Sequence, residues 1–233
     1  MIKQREIKIV FIICLFFLLS CAGPGLKVSD KKETVSMEPR TASNSKTVIW
    51  EPEPRPVAKG NDAQLLVRTS ESMNMLYATH NDKGKQNLFM AKTKNIGDSF
   101  SNPIVVNSEK DEVSAHGENG PKLKQGKGRG IFAAWIGKRD IKFARSMNFG
   151  KSFGPAIRVN DDKGKASQSF FSMDVSPDGK VFLAWLDGRD KKLGKPGTSS
   201  VYIARSINQG KSFEKNIRIS GDVCPCCRVA LAF

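Results

Sequence analysis

Thr93-Lys-Asn-Ile-Gly-Asp-Ser-Phe100, Ser146-Met-Asn-Phe-Gly-Lys-Ser-Phe153 and Ser206-Ile-Asn-Gln-Gly-Lys-Ser-Phe213 are three copies of one phrase. Its grammar is Ser or Thr, any residue, Asn, any residue, Gly, any residue, Ser, Phe. The copies start 53 and 60 residues apart, a period that signals one supersecondary unit repeated rather than one irregular domain.

The flanks repeat as well. Before the second and third copies stand Ile131-Phe-Ala-Ala-Trp-Ile136 and Val181-Phe-Leu-Ala-Trp-Leu186, then Ile141-Lys-Phe-Ala-Arg-Ser146 and Val201-Tyr-Ile-Ala-Arg-Ser206. Short runs rich in β-branched and aromatic residues read as buried strands. After the phrase come Ala156–Asn160 and Asn216–Ser220, and a further strand precedes each unit at Leu65–Arg68, Pro121–Leu123 and Ser172–Val175. The first unit has the same parts in Met75–Thr79, Leu88–Lys92 and Ile104–Asn107. Each unit therefore has four strands, A to D, at the spacing of propeller blades. Ser176-Pro-Asp-Gly179 supplies turn chemistry between A and B of the third unit. Within the phrase, Gly97, Gly150 and Gly210 supply positive φ. Asn95, Asn148 and Asn208 bond the turn, and Phe100, Phe153 and Phe213 plug the packing. The phrase is structural, its Thr93, Ser146 and Ser206 included.

The phrase resembles the Asp-box, or BNR repeat, of the sialidase superfamily, with Asn where that family usually has Asp. The resemblance covers residues 62–233 and implies an all-β, sialidase-like β-propeller, six-bladed in the family. Here it reads as blades at 62–107, 118–160 and 170–220, with Cys227–Phe233 as the first strand of a fourth. A chain stopping inside a strand is expected to be a fragment. The resemblance implies three arginines, an Asp acid/base and a Tyr–Glu nucleophile pair in a working sialidase. The region of the family's first arginine motif reads Leu65-Leu-Val-Arg-Thr-Ser70, without that motif. Tyr77 and Tyr202 fall on ordinary strands as packing residues.

Strand direction puts the A–B turns and the repeated phrases on one face, and the B–C and D–A loops on the other, where a site belongs. The D–A loop Asn107–Asn119 holds Asp111, Glu112, His116 and Glu118. The B–C loops hold Arg139 in one unit and Asp187, Arg189 and Asp190 in the next. The arginines suit the carboxylate of an anionic sugar, or ion pairs between blades. His116 suits acid/base work or an ordinary loop hydrogen bond. The other D–A loop carries Cys224, Cys226 and Cys227, which suit a disulfide in an oxidising compartment, a soft-metal site or redox chemistry. No other cofactor is expected.

Lys3, Arg5 and Lys8 precede an apolar run, Ile9–Leu19, of 11 residues. That is shorter than the ~20 residues a spanning helix needs. Leu18-Leu19-Ser20-Cys21 resembles the lipobox of bacterial lipoproteins, which implies a signal peptide over 1–20 and lipid on Cys21. Residues 21–61 are polar and proline-punctuated, a tether unable to bury enough surface to fold. The formal net charge of +15, spread over scattered lysines without interleaved aromatics, favours acidic glycans, lipid head groups or surface partners over nucleic acid. The expected protein is a lipid-anchored, sialidase-like propeller of the bacterial cell envelope, at the outer membrane or cell surface, binding a glycan or protein partner. An exo-α-sialidase completed beyond residue 233, or a metal-binding propeller using the cysteines, are the alternatives.

Overall fold

A computed structural model describes residues 60–110, 112–163, 166–191 and 196–233. The expected signal peptide, Cys21, the expected tether up to residue 59 and Asp111 lie outside the described residues. Twelve strands follow in order: β1 Asn61–Val67, β2 Met73–His80, β3 Gln86–Thr93, β4 Ile104–Val105, β5 Lys122–Gln125, β6 Ile131–Gly137, β7 Asp140–Ser146, β8 Ile157–Arg158, β9 Gln168–Val175, β10 Val181–Asp187, β11 Ser199–Ser206 and β12 Ile217–Val223. Apart from one 3-10 turn, Gly117–Asn119, no helix occurs among the described residues.

The strands form three antiparallel sheets, each a simple up-and-down meander: β1-β2-β3-β4, β5-β6-β7-β8 and β9-β10-β11-β12. The first strands of the sheets neighbour one another, β1 beside β5 and β5 beside β9. That radial order makes the sheets three blades of a β-propeller.

Packing between blades explains the apolar runs. Side chains of a strand alternate between faces. Ile131, Ala133 and Trp135 of β6 therefore join Leu76, Leu88 and Met90 of the first blade. Phe132, Ala134 and Ile136 join Met173, Leu183 and Trp185 of the third. With a neighbour on each side, β6 is buried at every position, so its sequence is a continuous apolar run instead of an alternation.

The repeated phrase closes the C–D turn in the same way each time. Thr93, Ser146 and Ser206 each donate their hydroxyl to the Asn Oδ1, at 2.7, 2.8 and 2.9 Å. The same hydroxyls accept the N–H of Gly97, Gly150 and Gly210, at 3.0, 2.8 and 2.8 Å. Each Asn Nδ2 then donates to the phrase's last serine, a bond that the carboxylate of an Asp could not make. The glycine is not alone at positive φ: Ile96, Phe149 and Gln209 before it sit at 55°, 60° and 55°. Two consecutive left-handed residues match the twist of the flanking strands, and the side-chain bonds offset the strain, ~1–2 kcal/mol per residue.

Two strand expectations change. The D strands of the first two blades shrink to two residues because side chains replace the ladder. Asn107 Oδ1 accepts the Leu88 N–H at 2.7 Å and Asn160 Oδ1 accepts that of Ile141 at 2.9 Å. The segment Cys227–Phe233 runs beside β9, with Val229 N–H bonding Phe170 O and the Phe233 ring tilted against Phe182. It pairs in no ladder: Leu231 N–H meets Ser172 Oγ and Phe233 N–H meets Asp174 Oδ2 where backbone carbonyls would stand.

Gly210 faces the ring of the buried Phe143, leaving no room for a Cβ, whereas Gly84, also at positive φ, has open space around it. Gly210→Ala is expected to destabilise by about 2–4 kcal/mol, from overpacking and left-handed strain together. Gly84→Ala should cost about 1 kcal/mol, from strain alone. Urea unfolding of both variants checks the ordering, and equal losses would contradict it.

Candidate functional site

The two faces divide as strand direction requires. On one, the repeated phrases meet the A–B turns: Phe149 N–H bonds Arg129 O at 2.9 Å, and the Arg68 guanidinium lies 4.6 Å from the Phe149 ring centre. On the other, B–C loops lace to D–A loops through Lys138 N–H to Glu112 O and Gly188 N–H to Ser167 O.

On the loop face, Asp187 and Arg189 form a clamp between blades. Asp187 is fully buried. Its carboxylate accepts Trp185 Nε1–H at 2.7 Å, Arg189 N–H at 2.8 Å and Arg189 Nη2 at 2.8 Å. Arg189 Nη1 reaches Asp161 at 2.5 Å, and its guanidinium stacks 4.1 Å from the Tyr202 ring centre. Burial works against the charge on Arg189, but Asp187 and Asp161 outweigh it and raise its pKa. Burial pushes Asp161 up, while bonds from Arg189 and the Asn216 N–H overcome this and hold it below the usual range. Asp190 is engaged as well, accepting Tyr202 Oη at 3.0 Å and Arg218 Nε at 2.9 Å. Tyr202 thus does more than pack. With its carboxylates and both Arg189 Nη groups already committed, this cluster fits ion pairing between blades better than ligand capture.

The cleft lies one blade earlier. His80, Lys85, Gln86, Glu112, Ser114 and Lys138 line a cavity of about 410 Å³ between the first two blades. The Gln86 amide is fully used, donating to Ala115 O and accepting its N–H, so it sets the wall. The Glu112 side chain is only 2 % exposed, and Lys142 Nζ stands 3.9 Å from it. Burial raises the Glu112 pKa against the Glu109 N–H and the Lys142 charge. A carboxyl raised by burial within a cleft marks a candidate functional group. Room for it comes from Gly137, which stands where the third blade has Asp187: a Cβ there would lie 3.4 Å from Glu112 Oε2 and would crowd Lys142. The same exchange leaves Trp135 Nε1 without the partner that Trp185 finds.

The remaining sequence candidates are dispersed around this face. His116 is exposed and precedes the 3-10 turn, its carbonyl accepting the Asn119 N–H. Glu118 pairs with Arg228, and Arg139 Nε donates to Ser167 Oγ at 3.2 Å. Cys224, Cys226 and Cys227 are unbridged and exposed, with Cys224 and Cys226 sulfurs 2.9 Å apart. The bond from Cys226 pulls the Cys224 thiol down to about 7, and the bond with Cys224 pushes Cys227 up to about 11. The group could hold a metal ion. Sequence reasoning placed Glu112 in its loop but favoured Glu118 and His116 there as site candidates. Lys85, His80 and Lys142 carried no motif at all.

No family model matches the chain, and no curated protein matches it in sequence. Solved structures do. A protein of unknown function from Dyadobacter fermentans is 17% identical over 72% of this chain and 54% of that one, with a TM-score of 0.50. The likeness is one of fold. An α-L-arabinanase of Penicillium chrysogenum, solved with arabinobiose, is 12% identical over 64% and 45%, with a TM-score of 0.45. A Hadza microbial sialidase is 14% identical over 65% and 36%, with a TM-score of 0.41. The chain spans about half the length of the first two.

Glu112 binds its proton more tightly folded than unfolded, so its ionisation lowers stability as pH rises through the unfolded value towards the raised one. Glu112→Gln removes that loss. The variant should gain stability relative to the parent as pH rises above about 4, the unfolded value, read as the difference in urea midpoints. A difference that stays constant across that rise would contradict the assignment.

Proposed function

We propose that the protein is an exported, lipid-anchored propeller that binds an acidic glycan on its loop face. The observation that carries this reading is the cleft between the first two blades, where exposed Lys85 and Lys138 flank the buried Glu112 carboxyl. Two ammonium groups suit the carboxylate or sulfate of an acidic sugar, through charge-assisted bonds. His80 offers a hydrogen-bonding group for ring hydroxyls, and a formal charge of +15 favours encounter with polyanions. The residues present give no support to sialidase cleavage: the buried Asp187 is committed to Trp185 and Arg189, and Tyr202 to Asp190.

A uronate-containing polysaccharide is expected to bind with an affinity that falls as salt rises. Lys85→Ala with Lys138→Ala should weaken binding at least about tenfold, because bonds to charged groups contribute ~1.5–3 kcal/mol each. Lys211→Ala, on the turn face, should leave it unchanged. Equal binding of a neutral glycan, or loss of binding only with Lys211→Ala, would contradict the reading. For the anchor, Cys21→Ala should move the protein from the membrane fraction to the soluble fraction of a bacterial host. Retention in the membrane fraction would refute lipidation.

A further inference from the structure

The loop after β12 brings three sulfurs together by backbone geometry. Pro225 has its φ locked by its ring. It takes the second position of a turn closed by Cys227 N–H donating to Cys224 O at 3.5 Å. Such a turn draws its first and fourth residues close, and Cys226 at the third position adds the remaining thiol. The three Sγ atoms all lie within 4.8 Å of one another. Both ends of the loop are fastened: Thr198 Oγ1 bonds Asp222 Oδ1 at 3.1 Å, and Arg228 pairs with Glu118.

We propose that Cys224, Cys226 and Cys227 form a trigonal thiolate site for Cu(I). An ion at the centre of three thiolates, at the ~2.3 Å typical of metal–sulfur bonds, needs sulfurs about 4 Å apart. The observed range, from 2.9 Å to within 4.8 Å, brackets that value. Among the described residues no histidine or carboxylate joins the group. A structural zinc site takes four ligands, whereas an all-thiolate set with no harder donor selects the soft Cu(I) ion. On binding, the thiol protons leave to solvent and three copper–sulfur bonds form. Copper enters as Cu(I), so no electron moves. All three thiols are exposed, so a chelator or a second copper carrier has direct access to the ion, which makes the site exchangeable.

The test is an anaerobic titration of the reduced full chain with Cu(I) against a chromophoric Cu(I) chelator. A single equivalent is expected to be held, with an X-ray absorption signature of three sulfur neighbours. Each single Cys→Ser change at 224, 226 or 227 should weaken binding at least about 100-fold, since even outer-shell losses around a metal cost ~10–100-fold. Because the loop is exposed, the urea midpoints of the metal-free variants should match the parent, which separates lost ligation from lost folding. Failure to hold Cu(I) against the chelator would overturn the proposal. So would retention by the triple variant, and so would a fourth, non-sulfur neighbour.

Discussion

One hydroxyl group in each blade does two jobs, and the blade-to-blade packing depends on it. In every C–D turn it donates to the Asn amide oxygen and accepts the glycine N–H, holding two consecutive residues at positive φ. That conformation presents a glycine with no Cβ towards the blade before it. Gly150 meets Met90 and Gly210 meets Phe143, both buried members of the preceding blade's C strand. Phe213, closing the phrase, lies edge-on to Phe143 with ring centres 5.1 Å apart. The repeat is therefore a spacer as well as a turn, since it sets how closely successive sheets approach.

With the turn face committed to spacing, variation falls on the opposite face. The second and third blades share the motif of Phe, any residue, Ala, Trp, yet two residues after the Trp one has Gly137 and the other Asp187. In the third blade the carboxylate satisfies the indole N–H and anchors Arg189 across to Asp161. In the second the missing side chain makes space for a buried carboxyl from the preceding loop. One substitution thus separates a clamp from a cleft within the same scaffold. Desolvation offsets much of the attraction within a buried ion pair, so the clamp joins two blades without adding large stability.

The strands and their order were legible because the alternation of side chains and the period of the phrase are local properties of the chain. The double-sided burial of β6 could be read from Ile131–Ile136, as could the turn at Ser176–Gly179. The shortened D strands could not, since they follow from Asn107 and Asn160 bonding amides 19 residues away. The candidate residues lie on the loop face that strand direction assigns them, but their roles depend on partners distant in sequence. Arg189 is tied down by Asp161, 28 residues earlier, and Glu112 gains its character from burial against β6 and β7. No spacing rule encodes either. The cysteine cluster, by contrast, was visible at once because its three thiols fall within four consecutive residues.

The spacer role of the turns is tested most directly by amide hydrogen exchange at Gly150 and Gly210. Their N–H groups bond buried hydroxyls and sit against the neighbouring blade, so they should exchange only through global opening, with the same free energy as amides at the centre of β6. The Gly84 amide, on an exposed loop, should exchange far faster. Local, low-energy exchange at Gly150 and Gly210 while β6 stays protected would contradict the account, because it would show turns that open without loosening the blades.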